Sequence, residues 1–259
     1  MSNAVMQVER RPIGRAEEAG LPRWLASWWM VPILAYHRVG EPQADHVPTV
    51  TPERFEAQLA FIAQRGYQVC GLSEVADGLA LGGASLRRKV VITFDDGYAE
   101  TCTVAAPMLR RFGFSATVFI APGEIGLPGF LSWEQLREIG RDVFTVGSHT
   151  MHHTYLPLVG AAKVRQELGE SKRILEERLG AGVEWVSYPV GGYTVEVQAL
   201  ARQAGYRGAC TTNRGVSKRA KDLFALRRIK ITERDSHPAL LSVKLSGYYD
   251  VFRALKAPA

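Results

Sequence analysis

The chain has 259 residues, 46% of them hydrophobic and 22% charged, with a formal net charge of +6. That is the composition of an ordinary soluble globular protein, long enough for one large α/β domain or two small ones. The basic residues are spread out, without the clustered stripe or reading motif of a nucleic-acid-binding protein, and the mild positive charge still favours an anionic substrate or a membrane surface.

The densest basic runs, Arg87-Arg88-Lys89 and Lys218-Arg219-Ala220-Lys221, read as solvated loops. Cys70, Cys102 and Cys210 are far apart and odd in number, which fits neither a disulfide framework nor a CxxC metal site. Reduced thiols suit a reducing compartment, so a cytoplasmic location is expected. The N-terminus mixes both charge signs up to Arg23 and lacks the basic start and apolar core of a signal peptide. Trp24 to Tyr36 is apolar but shorter than the roughly 20 residues that cross a bilayer. Within it, Trp28 and Trp29 are candidate contacts for a membrane surface or a neighbouring subunit, with simple packing as the alternative.

Residues 1–28 show no clear period and read as an extension; residues 29–259 read as one domain. Strand and helix then alternate. Val31 to His37 predicts a strand, and Thr51-Pro52-Glu53 starts a helix that Gly66 ends. Tyr67 to Cys70 predicts a short strand, followed by a small helix from Ser73. Val90 to Phe94 is an unbroken apolar and β-branched run, the pattern of a strand buried on both faces. A helix from about Thr101 to Phe112 and a strand from Ala116 to Ile120 come next. Ser132-Trp133-Glu134-Gln135 is a capping box that opens another helix. A strand over Phe144 to Ser148 and a long helix over Ala161 to Leu179 follow. The alternation continues with a strand from Trp185 to Tyr188, a helix from Thr194 to Ala204 and a strand from Tyr206 to Cys210. A strand near Arg227 to Ile231 and a helix from Pro238 to Leu245 end it. Roughly eight strands joined by helical crossovers predict a parallel sheet, closed into a barrel or distorted barrel rather than open.

Sites in such folds lie at the C-terminal ends of strands, and the unusual polar residues fall there. Asp95-Asp96 follow one predicted strand, Gly147 to His153 another, and Tyr188 to Tyr193 a third, while His37 ends the first. Four of the six histidines, His37, His149, His152 and His153, sit in these segments. On a helical turn His149 and His153, four apart, would project to one side and share a metal. One carboxylate of Asp95-Asp96 would complete a face of two histidines and a carboxylate, leaving the other free as a general base. The competing readings are satisfied structural histidines and a surface Asp-Asp-Gly turn.

Thr93-Phe94-Asp95-Asp96-Gly97 and His149-Thr150-Met151-His152-His153 together resemble two motifs of the polysaccharide deacetylases, the NodB homology domain of carbohydrate esterase family 4. Tyr188-Pro189-Val190-Gly191-Gly192-Tyr193 looks like the third motif, and Leu34 to Val39 resembles the opening strand of one bacterial branch. The likeness spans about residues 31–231. It implies a distorted (β/α) barrel of the NodB homology type. It also implies a divalent metal, usually Zn²⁺, and removal of acetyl groups from an N-acetylated saccharide.

By position, Asp96, His149 and His153 would hold the metal, and Asp95 would be the general base that takes a proton from the attacking water. Tyr188, Pro189, Val190 and Gly191 would contact substrate, with a backbone N–H of that stretch facing the developing oxyanion. Two departures stand out. Ser187 occupies the place of an arginine that pairs with the catalytic aspartate, for which Arg227 or Arg228 is the candidate replacement. The late motif that supplies a histidine acid has no match in Leu226 to Ile231. His37, at the end of the first strand, is the candidate for a proton-transfer or substrate-orienting role, with a packed or capping histidine as the alternative, and His152 is expected to face away from the metal. Trp133, Trp185, Tyr98, Tyr188 and Tyr193 are candidates to stack on sugar rings. Two other functions compete: hydrolysis of a different amide or ester, and carbohydrate binding without catalysis.

Overall fold

A computed structural model describes residues 30–213 and 222–249. The N-terminal extension with Trp28 and Trp29, and the basic run at Lys218 to Lys221, lie outside the described residues. In chain order the strands are β1 (Ile33–Tyr36), β2 (Arg38–Val39), β3 (Thr49–Val50), β4 (Gln68–Val69), β5 (Lys89–Phe94), β6 (Ala116–Ile120), β7 (Phe144–Ser148), β8 (Trp185–Ser187), β9 (Gly208–Thr211), β10 (Leu226–Arg227) and β11 (Ile229–Lys230). The principal sheet runs β10-β9-β8-β7-β6-β5-β1-β11, with β4 added beside β5, and its pairings are parallel.

The two ends of this order are one stretch of chain. β10 pairs β9 and β11 pairs β1, so residues 226–230 bridge the gap and leave a nearly closed (β/α) barrel. The single strand expected from Arg227 to Ile231 is instead split at Arg228. The Arg228 N–H still donates to the Thr211 carbonyl at 2.8 Å, and the Ile231 N–H donates to that of Ala35 at 2.9 Å.

Strand side chains alternate with period two, and here the two sets meet different partners. Val90, Ile92 and Phe94 of β5 pack outward with Phe55, Leu59 and Ile62 of the helix Pro52–Gln64 and with Leu109 of the helix Ala106–Phe112. Ile33, Val91, Phe119, Trp185, Cys210 and Leu226 face inward and fill the lower barrel. Leu72, Val75 and Ala76 of the helix Leu72–Ala80 plug the lower end. The buried positions above that layer are polar: Thr93 of β5, Asp95 just past its end, and Ser187 of β8. The barrel interior is thus an apolar floor under a polar top, and the top is the C-terminal end where sites form.

Several sequence signals act as expected. Ser132 and Gln135 make both halves of the capping box on the helix Trp133–Gly140. Gly180 ends the helix Ala161–Leu179 with φ 66°. The predicted helix over Thr101 to Phe112 opens with a widened turn, Thr101–Ala105, before regular α-helix begins at Ala106. Among the described residues no helix is long and apolar enough to cross a membrane.

Phe119 pairs in register with Gly147 on the neighbouring strand. A Cβ at Gly147 would stand 2.6 Å from the Phe119 ring and 3.1 Å from the Trp185 carbonyl oxygen. Gly147→Ala should therefore overpack the barrel floor just below the histidine loop and cost about 1–3 kcal/mol. Urea unfolding measures this, and an unchanged midpoint would mean that the ring shifts freely.

Candidate metal and catalytic site

Asp95 and Asp96 leave β5 in different directions. Alternation keeps Asp95 pointing into the barrel, where it is buried. Asp96 takes φ 71°, a left-handed backbone rare for a residue with a Cβ, and turns its carboxylate across the barrel mouth. Gly97 follows with φ 82°, and a Cβ there would stand 2.6 Å from Ile120 Cδ1.

The Asp96 Oδ1 atom lies 3.4 Å from His149 Nε2 and 3.5 Å from His153 Nε2. One donor atom from each of the three residues falls within 4.8 Å of the other two. The two imidazoles do not share a helical turn, as the spacing suggested. They lie on a loop that enters the left-handed region at Thr150 (φ 63°) and again at His153 (φ 53°). Strained backbone of this kind persists only where the surroundings enforce it, and it gathers at functional sites.

This donor set fits a divalent ion. Among the described residues the buried Asp96 Oδ1 has no hydrogen-bond partner, which is costly unless something positive meets it. The His149 Nδ1 lies 2.8 Å from the Ser187 carbonyl oxygen. A carbonyl only accepts, so Nδ1 carries the proton and Nε2 presents its lone pair to the site. Two imidazoles and one carboxylate also suit zinc, with positions left open for water and substrate.

Asp95 is held by Arg228. The guanidinium donates from Nη1 to Oδ1 and from Nη2 to Oδ2, both at 2.7 Å, and the two side chains are almost fully buried. The same guanidinium donates to the Thr93 hydroxyl at 3.1 Å and to the Ser187 hydroxyl at 2.7 Å. Ser187 therefore does not replace the expected arginine; it accepts from the one that does, which arrives from the closing strand. Burial opposes the Asp95 charge, but the positive charge and hydrogen bonds of Arg228 outweigh it. Its carboxyl sits far below the usual carboxylate range. The stability contributed by this charge is therefore present above the ordinary aspartate pKa of about 3.9 and is lost only as pH falls below it.

His37 Nε2 is 3.9 Å from Asp95 Oδ2, and its Nδ1 is buried without a partner. Burial is the main influence on this imidazole and pushes its pKa down, against the pull of Asp95 and Asp96. His37 is thus neutral, beside the carboxylate rather than on the metal cluster. His152 faces away, its Nδ1 2.9 Å from Glu167 Oε1.

The third segment is divided in role. The Tyr188 ring is fully buried, its hydroxyl donating to the Phe224 carbonyl and its face stacked on Tyr193, so it offers nothing to a sugar. The Tyr188 N–H is taken by the Cys210 carbonyl and the Gly191 N–H by that of Tyr188, while Pro189 has none. Val190 is left. It is 74% exposed at φ 58° within the turn Pro189–Gly191.

The other aromatic candidates also fail as stacking platforms. Trp185 fills the barrel floor. Tyr98 is sandwiched by the Arg38 guanidinium and the Phe130 ring, and the Trp133 ring is covered by Arg178. Sequence reasoning missed Glu167, a buried carboxylate on the long helix, and Tyr155, a partly exposed ring packed on Gly192 two residues after His153. The only signal for Glu167 was an acid on the helix side shared with Val164 and Leu168.

Removing one member of a buried pair leaves the other charged and unpartnered. Arg228→Ala should cost about 3–5 kcal/mol in urea unfolding. Adding Asp95→Ala to it should cost far less than the sum of the two single changes. Additive losses would show that the pair is not coupled.

The chain is similar to known proteins over most of the described residues. The family model described as polysaccharide deacetylase matches residues 82–209. The Bacillus subtilis protein YxkH, named as a polysaccharide deacetylase, is 30% identical over 202 residues, covering 78% of this chain and 71% of its own. The poly-β-1,6-N-acetyl-D-glucosamine N-deacetylase of Staphylococcus aureus is 24% identical over 200 residues, covering 71% of this chain and 68% of its own. Among solved structures, the Streptococcus pyogenes deacetylase PplD in complex with acetate superposes with a TM-score of 0.76 at 27% identity, covering 83% of this chain and 97% of its own. IcaB from Ammonifex degensii shares the fold with a TM-score of 0.73 at 24% identity, over 83% of this chain and 97% of its own. The chain belongs to the polysaccharide deacetylase family of carbohydrate esterase family 4.

Proposed function

We propose that this protein hydrolyses the acetamide of an N-acetylated saccharide, releasing acetate and a free amine, and that it does so with a divalent metal, zinc foremost. The observation that carries this reading is the convergence of Asp96, His149 and His153 beside an ionised Asp95. Asp96, His149 and His153 would hold the metal, which supplies Lewis acidity: it brings the pKa of a water towards neutrality and polarises the acetyl carbonyl.

Asp95 is the base that accepts the proton of the attacking water. Held down by Arg228, it is a weak base, suited only to a water already made acidic. Its two oxygens keep free lone pairs besides those committed to Arg228, so it can accept this proton without leaving its partner. As the carbonyl oxygen gains charge, the Val190 N–H is the backbone donor of the third segment positioned to meet it. The proton taken by Asp95 must reach the leaving nitrogen. His37, neutral and within 3.9 Å of Asp95, is the side chain placed to orient or relay it. Carbohydrate binding without catalysis loses its main support, because Arg228 fills the place that Ser187 leaves.

The test is metal content by elemental analysis together with acetate release from N-acetylglucosamine oligomers, with and without a chelator. Bound zinc and chelator-sensitive acetate release are expected; a protein that takes up no zinc would overturn the site. Asp95→Asn should keep the metal and lower turnover by about 10²–10⁴-fold, whereas His149→Ala should lose both. Equal metal loss in the two variants would refute the division between base and ligand.

A further inference from the structure

The histidine loop carries two left-handed residues, Thr150 and His153, with Met151 and His152 between them. Neither left-handed residue is a glycine, so something must hold this turn closed. The holder comes from the long helix Ala161–Leu179. Glu167 is 0% exposed. Its Oε2 accepts the backbone N–H groups of Met151 and His152, each at 2.9 Å. Its Oε1 faces His152 Nδ1 at 2.9 Å and Lys163 Nζ at 3.0 Å. One turn further along the helix, Ser171 Oγ lies 2.6 Å from Ser148 Oγ, and that hydroxyl accepts the Thr150 N–H at 3.2 Å. On the other side of the loop, the Gly123 N–H donates to the Met151 carbonyl at 2.9 Å. A Cβ at Gly123 would stand 2.8 Å from that oxygen. The Met151 residue is thus held at its N–H by Glu167 and at its carbonyl by Gly123.

We propose that Glu167 is a positioning residue of the metal centre: its buried carboxylate, bonded to two consecutive backbone N–H groups, locks the turn that aims His153 and His149 at Asp96. The argument rests on the metal reading given above for its consequence, but the clamp itself is a property of this chain's own backbone. Burial opposes the Glu167 charge, and the donors of His152, Lys163 and the loop outweigh it, holding the carboxyl down to about 2. The clamp therefore stays charged at any ordinary pH. Its side-chain partners, His152 and Lys163, reach outward to solvent, whereas the two backbone bonds face the loop. The backbone bonds are what position the ligands, and the outer pair shields the carboxylate.

Zinc affinity, read by competition with a chromophoric chelator, and amide hydrogen exchange of the metal-free protein test this together. Glu167→Gln keeps the shape and loses the charge; Glu167→Ala removes the acceptor. Zinc binding should weaken about 10–100-fold, as for other groups that orient metal ligands, with Ala worse than Gln. Lys163→Ala should leave zinc affinity within about threefold of the parent. In the metal-free parent, the Met151 and His152 amides should exchange slowly; both should lose that protection in Glu167→Ala and part of it in Glu167→Gln, whose neutral amide oxygen is a weaker acceptor, while β6 and β7 keep theirs. A folded Glu167→Ala variant with parental zinc affinity and parental protection at both amides would overturn the proposal. If Ala does not fold, parental zinc affinity and parental protection in Glu167→Gln would overturn it. If the parent binds no zinc, the metal reading fails, and the exchange data still decide whether Glu167 holds the loop.

Discussion

The bidentate contact between Asp95 and Arg228 joins the end of β5 to the stretch that closes the barrel. Arg228 sits where that last strand breaks between β10 and β11, so the same residue interrupts the ladder and sends its side chain into the barrel. Two charges in a barrel interior are costly to desolvate. Thr93 and Ser187 accept from the remaining Nη1 and Nη2 donors, and the Thr93 hydroxyl in turn donates to the Leu34 carbonyl at 2.8 Å. Four strands thus meet at one ion pair. It sets the charge of Asp95.

The interior below and the loops above are built on opposite terms. The floor is apolar, with Trp185 and Phe119 filling it and a helix closing its end, so it needs no partner for any charge. The top gathers the buried polar groups and most of the unusual backbone: Asp96, Thr150, His153 and Val190 all have positive φ. Each of these costs free energy of order 1–3 kcal/mol. They are tolerated because the loops are tied to rigid elements. Glu167 and Ser171 hold the histidine loop from the long helix, and Gly123 holds it from the loop after β6. A tight floor and an over-determined rim are the two halves of one preorganised site.

Much of this was legible in the chain. The unbroken apolar run before Asp95 marked a strand covered on both faces, and the capping box at Ser132 marked a helix start that the structure keeps. That two histidines and one of two aspartates would gather followed from residue types at strand ends, and the choice of Asp96 from the family resemblance, although His149 and His153 reach each other through a left-handed loop rather than a helical turn. Aromatic residues misled. Tyr188, Tyr98 and Trp185 carry the right chemistry for stacking on a sugar, but burial and neighbouring rings or cations consume their faces, and a sequence does not record what covers a ring. Arg228 appeared only as one of two adjacent candidates, since alternation shows that neighbours face opposite ways without showing which one faces in.

The sequence by itself determined the order of strands and helices, the barrel they imply, and the three residues that converge as possible metal ligands. These depend on periodicity, caps and short motifs, all local along the chain. Tertiary structure alone decided that Arg228 partners Asp95, that Glu167 holds the histidine turn, and that the Tyr188 hydroxyl and N–H are spent on Phe224 and Cys210. Each of these joins positions far apart in sequence, so each is a product of strand register, helix docking and the hydrogen bonds that remain once packing has used the rest.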